Sequence, residues 1–243
     1  MQLQFTHHGA VRGVTGSCHR LTLPGGQAVL VDCGLFQGAE TSPDRASANR
    51  LEIDFPIDTV RALVVTHVHI DHVGRIPCLL AAGFQGPIYC SQASAQLLPL
   101  VLEDALEVGF THNRTLIGKF LALLKARTVP LPYKHWQTVV AGSPGVRLRL
   151  HPAGHILGSA FAEFDVTQTG HAAQRVVFSG DLGAPYTPLL PAPKPPMRAD
   201  VLVLESTYGD RTHDSRKTRR QRLQALCEHA FSNGGTVLVP AFS

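Results

Sequence analysis

The chain of 243 residues is 44% hydrophobic and 16% charged, and its formal net charge is +4. This composition is that of an ordinary globular protein, long enough to bury a large core in one domain or slightly more. No run of about 18 uncharged apolar residues is present, so the sequence indicates no transmembrane helix, and we expect no membrane partner.

The first third of the chain is a succession of short β-prone runs joined by glycine turns. Its first eight residues contain neither a basic segment nor an apolar one, so we expect no signal peptide. Residues 21–23 and 28–31 flank Pro24-Gly25-Gly26, a pattern typical of a hairpin. The apolar, β-branched run at 62–66 ends at a histidine cluster and indicates a strand buried on both faces.

The middle of the chain changes from helical to β-prone segments. Residues 93–126 are rich in leucine and alanine and predict two helices, separated near 109–113. The segment 185–196 holds six prolines, and we interpret it as a linker or an extended crossing segment. Between these two regions the sequence predicts three strands, at 146–150, 160–166 and 176–179.

Beyond the proline-rich segment the sequence predicts a β-α-β unit. Strands are expected at 201–204 and 236–239, with a helix over 215–233 between them. Either Asp214 or Ser215 can cap the start of this helix. Its apolar face follows helical spacing and consists of Leu223, Leu226, Cys227, Ala230 and Phe231.

Five cysteines are distributed along the chain, and none stands in a CxxC motif. An odd and widely spaced set argues against a disulfide framework. We therefore expect reduced thiols and a cytoplasmic location.

Three histidines and an aspartate follow the strand at 62–66 within six positions: His67, His69, Asp71 and His72. Imidazole and carboxylate groups suit zinc and similar divalent ions. On a loop that leaves a strand, the first two histidines can face one metal while Asp71 and His72 face a second. Two such metals can clamp the attacking and leaving oxygens of a hydrolysis. The alternative, a polar loop with a chance histidine cluster, requires every ligand type and spacing to coincide.

Further candidate ligands lie downstream, near the ends of predicted strands. His155 stands among small residues that allow the backbone to approach a metal closely. Asp181 directly follows the strand at 176–179 and its Ser-Gly turn. Asp32 also ends a strand and can orient a ligand histidine, although a simple turn aspartate is equally supported.

These residues together resemble the metallo-β-lactamase superfamily, with Asp32 as motif one and the six candidate ligands as motifs two to four. The HxHxDH motif is shared with lactamases, glyoxalases and lactonases and does not choose among them. Additional motifs resemble the β-CASP branch, which contains RNA-processing nucleases, and the last of them is the one that discriminates. They are Val14–Ser17, Ala153–Ala160, Gly180–Gly183 and Glu205–Gly209.

The resemblance implies an α/β fold in two parts. A metallo-β-lactamase αββα sandwich would occupy residues 1–198, and 199–243 would begin an α/β β-CASP domain. The family's later motifs, including the histidine that partners Glu205, are not matched within these 243 residues. We therefore expect the chain to correspond to the N-terminal part of such an enzyme and to be a weak catalyst by itself.

The resemblance also implies a role for each candidate residue. One zinc ion would be held by His67, His69 and His155, and a second by Asp71 and His72. Asp181 would bridge the two ions. The implied catalytic residues are Asp71, Asp181 and Glu205, the last of which would orient a histidine that assists the leaving group.

The function implied is that of a zinc-dependent ribonuclease, which cleaves RNA phosphodiester bonds with a metal-activated hydroxide. One alternative is a small-molecule hydrolase of the same fold, such as a thioesterase or lactonase, which would share every metal ligand. Another is a truncated member that binds RNA without cleaving it. RNA is the expected partner. The sequence leaves open whether the chain forms a homo-oligomer.

Basic side chains cluster near the start of the last predicted helix. A solvated helix face and a phosphate contact are almost equally supported. Cations are unfavourable at a helix N-terminus, which tilts the interpretation slightly toward a functional basic patch. The cluster consists of Arg211, Arg216, Lys217, Arg219, Arg220 and Arg222.

Overall fold

A computed structural model of the chain describes residues 2–38, 52–185, 187–212 and 216–240. Two β-sheets and flanking helices make up the described residues, and the predicted α/β class is confirmed. Within these ranges, no helix is both long enough and apolar enough to cross a membrane.

The first sheet contains six strands: β1 (Gln4–His7), β2 (His19–Thr22), β3 (Ala28–Val31), β4 (Val60–Val64), β5 (Ile88–Ser91) and β6 (Thr128–Leu131). They lie across the sheet in chain order. The pairs β1–β2 and β2–β3 are antiparallel, and those from β3 to β6 are parallel. The predicted hairpin is confirmed, because Gly25 and Gly26 turn between β2 and β3 with φ of 91° and 90°.

The second sheet contains five strands: β7 (Gln137–Val140), β8 (Gly145–Pro152), β9 (Ala160–Thr167), β10 (Gln174–Phe178) and β11 (Val201–Val203). Their order is β11-β10-β9-β8-β7. Only the β10–β11 pair among them is parallel. The three strands predicted in the middle of the chain correspond to β8, β9 and β10.

Four helices belong to the same part of the chain: α1 (Ile70–Val73), α2 (Ile76–Ala81), α3 (Gln92–Gly109) and α4 (Arg114–Arg127). The predicted break between two long helices is confirmed. Ser91 caps α3 by accepting a hydrogen bond from Ser94 N, and Asn113 caps α4 by accepting from Thr115 N and Leu116 N.

Apolar side chains pack on both faces of the first sheet. Leu63 of β4 packs with Leu98 and Leu124 of the long helices on one face. Val29 of β3 and Phe164 of β9 pack between the two sheets on the other. All four residues of β3 are buried, and β4 is buried except at Arg61. The predicted burial of both faces is therefore confirmed, and the central strands are fixed from both sides.

The chain divides into two compact units, Met1–Glu205 and Ser206–Ser243. In the second unit a 3-10 turn (Arg216–Thr218) precedes α5 (Arg219–Ser232). The predicted caps Asp214 and Ser215 lie outside the described residues. The expected domain boundary between residues 198 and 199 stays a prediction.

Two expectations for this part of the chain are wrong. Residues 236–239 form no strand, since a strand requires a paired neighbour and no described strand pairs with them. The strand at 201–203 pairs with β10 in the first unit, so the described residues contain no β-α-β unit here. The apolar face of α5 is exposed rather than packed, with Phe231 91% exposed.

The outer face of the second sheet carries an ion-pair cluster around Glu163, whose side chain is 1% exposed. Arg149 donates two hydrogen bonds to this carboxylate, at 2.9 and 3.0 Å, and His151 Nε2 lies 2.7 Å from it. Arg175 pairs with it as well, and both guanidinium groups stack on Trp136. Burial alone would raise the pKa of Glu163, but the hydrogen bonds from Arg175, His151 and Arg149 lower it.

Replacing Glu163 with glutamine should destabilise the protein by about 2 kcal/mol at pH 7, because Arg149 and Arg175 lose the anion to which both donate hydrogen bonds. The contribution of a carboxylate with a lowered pKa is present above about pH 4.3, the unfolded value, and is lost as the pH falls through the folded value. Urea unfolding at pH 7 and at pH 3 measures both effects. Asp104→Asn, an exposed neutralisation on α3, is the matched control. A difference from the original protein that persists unchanged at pH 3 would contradict the assignment.

Candidate metal centre

Four loops bring polar side chains to one edge of the first sheet. The parallel strands β3 and β4 end at the same edge, where β3 leads into Asp32 and β4 into the segment from Thr66 to His72. His155 comes from the loop between β8 and β9, and Asp181 from the loop after β10. The carboxyl ends of neighbouring parallel strands are a common place for a functional site.

Three histidines and Asp181 converge on one point. His67 Nε2 lies 3.1 Å from His69 Nδ1, and His155 Nε2 lies 3.0 Å from the same atom. Asp181 Oδ2 is 3.8 Å from His67 Nε2 and 3.6 Å from His155 Nε2. One ligand atom from each of these residues lies within 4.8 Å of the others, which is a His/Asp group that could hold a metal ion.

The protonation of these histidines suits a metal. Burial lowers the pKa of His67 well below its usual value and also lowers that of His69, and the neighbouring histidines add to both effects. Both imidazoles are therefore neutral near pH 7, which is the form that binds metals. A neutral imidazole has only one N–H. Each neutral ring therefore keeps one nitrogen lone pair that it can present to a divalent cation.

A second group of candidate ligand atoms lies on the other side of Asp181. His72 Nε2 is 3.2 Å from Asp181 Oδ1 and 3.8 Å from Asp71 Oδ2. Asp181 thus turns Oδ2 toward the first group and Oδ1 toward the second. Burial alone would raise the pKa of Asp181, but the hydrogen bond from His72 and the charge of His72 lower it. An ionised carboxylate in this position can contact two metal ions.

Asp32 holds the histidine of the second group. It is buried and adopts a positive φ of 61°. Its carboxylate accepts hydrogen bonds from Thr66 N and Thr66 Oγ1, both at 2.8 Å, and from His72 Nδ1 at 2.7 Å. Burial alone would lower the pKa of His72, but the charges of Asp32 and Asp181 and their hydrogen bonds raise it to about 10. Without a metal, His72 is therefore protonated and its Nε2–H faces Asp181. A metal that binds this nitrogen would have to displace the proton.

Glycines let the loops approach each other closely. A Cβ atom on Gly34 would lie 1.5 Å from the Asp71 carbonyl oxygen, and one on Gly183 would lie 1.7 Å from the Gly154 carbonyl oxygen. The loops that carry His155 and Asp181 are therefore in backbone contact. The proline-rich segment crosses the same place, because a Cβ on Gly154 would lie 2.5 Å from the carbonyl oxygen of Pro191.

Glu205 lies beside the Asp181 loop. Its Oε1 accepts a hydrogen bond from Leu182 N at 2.7 Å, and its own N donates to Ser179 Oγ at 2.9 Å. The carboxylate therefore fixes the backbone on the C-terminal side of Asp181, while the bond to Ser179 fixes the other side.

The structure brings all six predicted ligand residues to this edge, with Asp32 behind them. Sequence reasoning missed Thr66, which joins Asp32 to the candidate metal-binding segment. It named Ser17 within the Val14–Ser17 motif but gave no role to this residue, whose Oγ lies 3.4 Å from Asp32 Oδ2. A threonine that ends a buried strand next to a histidine cluster was the available signal. The predicted basic residues belong to the second unit.

Comparison with known proteins matches residues 11–226 to the metallo-beta-lactamase superfamily. The chain is 41% identical over 237 residues to Ribonuclease TTHA0252 of Thermus thermophilus, covering 97% of this chain and 51% of that protein. It is 31% identical over 249 residues to the transcription termination factor FttA of Methanosarcina mazei, covering 99% and 37%. It is 29% identical over 252 residues to the endoribonuclease ysh-1 of Neurospora crassa, covering 100% and 28%. The chain spans about half the length of the first of these relatives and less of the others.

Exchanging both His67 and His69 for alanine should abolish stoichiometric binding of a divalent metal, since two of three convergent imidazoles are removed. Elemental analysis after zinc loading and desalting measures the retained metal. His135→Ala/His171→Ala removes two exposed histidines and should retain the original stoichiometry. Equal metal content in the two double variants would contradict the assignment.

Proposed function

Because this chain belongs to the metallo-β-lactamase superfamily, we propose that it forms the metal-binding part of a zinc-dependent hydrolase that cleaves RNA phosphodiester bonds. The observation that carries the proposal is the position of Asp181. Its two carboxylate oxygens face two separate groups of ligand atoms, 3.2 Å from His72 and 3.6 Å from His155. Such a carboxylate supports a centre for two metal ions.

In this proposal each side chain has a defined task. His67, His69 and His155 would hold the first ion, and Asp71 and His72 would hold the second. Asp181 would contribute one carboxylate oxygen to each group. Two zinc ions, when bound, would supply Lewis-acid activation of water and charge stabilisation at a phosphodiester.

The catalytic assignments rest on the same geometry. Asp71 and Asp181 contribute anionic oxygens at the point where the two groups of ligands meet. Glu205 keeps the Asp181 loop in place through Leu182 N, and its second carboxylate oxygen is the one that could orient a further group. We propose that Glu205 acts mainly through the position of Asp181.

RNA as the substrate is supported by the names of relatives, two of which are called ribonucleases. A phosphodiester backbone also suits the charge of the second unit, in which exposed cations occupy the first turn of α5. All five cysteines are free thiols, which supports the proposed cytoplasmic location.

Replacing Asp181 with asparagine should lower RNA cleavage more than about 100-fold, because even residues that only support metal ligands contribute about 10- to 100-fold. Single-turnover assays with excess protein over a labelled RNA oligonucleotide make weak activity measurable. Asp104→Asn is the control and should keep the original rate. Hydrolysis of a thioester or lactone in place of RNA would overturn the substrate class and retain the metal centre.

Reversing the charge of Arg219 and Arg220 with glutamate should weaken RNA binding and flatten its salt dependence. The slope of log K against log salt should fall by about 0.7 for each RNA phosphate that the protein no longer neutralises. Binding titrations between low and moderate salt measure the slope. Lys119→Glu/Lys125→Glu changes the same charge on α4 and should leave the slope as it was. An unaltered slope in the α5 variant, with metal content retained, would contradict a phosphate contact and favour the alternative, a solvated helix face.

A further inference from the structure

A line of polar side chains leads from Asp32 away from the metal ligands. His7 ends β1 and His19 begins β2, and the two are direct partners in the antiparallel ladder. Ser17 lies two positions before His19, at the end of the Val14–Ser17 motif, to which the proposed chemistry gives no role. These side chains connect the edge of the first sheet to the carboxylate that holds His72.

Each neighbour in this line lies within reach of the next. Ser17 Oγ is 3.4 Å from Asp32 Oδ2 and 3.5 Å from His19 Nε2. His19 Nδ1 is 2.9 Å from His7 Nδ1. The backbone of Ser17 is fixed independently, because its N donates to the Asp71 carbonyl oxygen at 2.8 Å. The two contacts of Ser17 Oγ are long, which indicates a modest contribution from each.

The direction of these hydrogen bonds follows from Asp32. A carboxylate without a proton only accepts hydrogen bonds, so the Ser17 hydroxyl donates a hydrogen bond to Asp32. The Ser17 oxygen is then free to accept, and His19 Nε2–H is the donor that reaches it. His19 Nδ1 in turn accepts from His7 Nδ1–H. Every proton in the line therefore points toward Asp32, and the tautomers of both histidines are assigned.

His19 is well placed to keep this arrangement. Burial lowers its pKa to about 4, so the ring is neutral at ordinary pH and has one donor and one acceptor nitrogen. The ring also stacks on Phe178, with centroids 6.0 Å apart and planes at 21°. Phe178 is the last residue of β10, three positions before Asp181. The stack fixes the orientation of His19 against the strand that carries the bridging carboxylate.

We propose that Ser17, His19 and His7 are positioning residues for the half of the metal centre that contains Asp71 and His72. They act by fixing the Asp32 carboxylate, which accepts from His72 Nδ1–H and so directs His72 Nε2 at the centre. The half that contains His67, His69 and His155 depends on them less, because Asp32 reaches it only through Thr66, whose Oγ1 lies 3.1 Å from His67 Nδ1. This inference rests on the proposed two-metal centre.

The test is a titration of the metal-free chain with Co²⁺, in which absorption and chelator competition resolve two binding steps. Ser17→Ala and His19→Phe should weaken one step about 10-fold, the lower end of the range for residues that support metal ligands. The other step should weaken less, because Asp32 reaches His67 only indirectly, through Thr66 Oγ1. His19→Gln retains an N–H donor near the position of Nε2 and should restore most of the affinity. His135→Phe, which alters an exposed histidine on the loop before β7, is the control, and thermal unfolding checks that each variant is folded.

A selective weakening of one step with recovery in His19→Gln supports the proposal. Equal weakening of both steps, or no recovery in the glutamine variant, overturns it in favour of a general structural role. A folded Ser17→Ala variant that binds Co²⁺ with unchanged affinity in both steps also overturns the proposal, but it leaves the two-metal centre intact. An original chain that binds Co²⁺ in no step, or in one, overturns the two-metal centre itself and this inference with it.

Discussion

The Asp32 carboxylate ties the metal-binding segment to the central sheet. One of its oxygens accepts from Thr66 N, and the other accepts from Thr66 Oγ1 and His72 Nδ1, all at 2.7 to 2.8 Å. The parallel strands β3 and β4 leave the sheet at one edge, so a single side chain reaches both exits. The positive φ at Asp32 costs on the order of 1 kcal/mol, and three charge-assisted hydrogen bonds offset it.

The two loops that carry His155 and Asp181 are held by backbone contacts. Gly183 N donates to the Ala153 carbonyl oxygen at 2.8 Å, which joins the Asp181 loop to the loop that carries His155. Neither Gly154 nor Gly183 has room for a Cβ atom. Glu205 adds a side-chain contact at Leu182 N. The centre therefore combines one loop fixed by a carboxylate with two loops fixed by the close approach of their backbones.

The convergence of the candidate ligand residues could be predicted from sequence because their chemistry and spacing are local. One short segment carries His67, His69, Asp71 and His72. Asp181 closely follows a strand that the sequence predicts, at 176–179. Burial of β3 and β4 on both faces also follows from an unbroken apolar run. These features need no knowledge of distant contacts.

The remaining features depend on the partners that the fold supplies. The role of Ser17 and His19 requires the pairing of β1 with β2, which brings His7 opposite His19. The strand expected at 236–239 has the right composition, but composition alone does not provide a neighbour to pair with. The exposed apolar face of α5 shows the same limit, since helical spacing predicts a stripe and not what covers it.

Double-sided burial of β3 and β4 has a consequence for the motions of the site. Backbone amides in strands of this kind exchange with solvent mainly when the whole domain opens, since local fraying does not expose them. Asp32 lies just after β3 and Thr66 just after β4, and the two residues are hydrogen-bonded to each other. We therefore expect their backbone amides to share the slow exchange of these strands. His155 and Asp181 are only partly buried, and partly buried loops open at smaller free energies than core strands. Exchange of ions and water at the centre would then proceed from the side of these two loops.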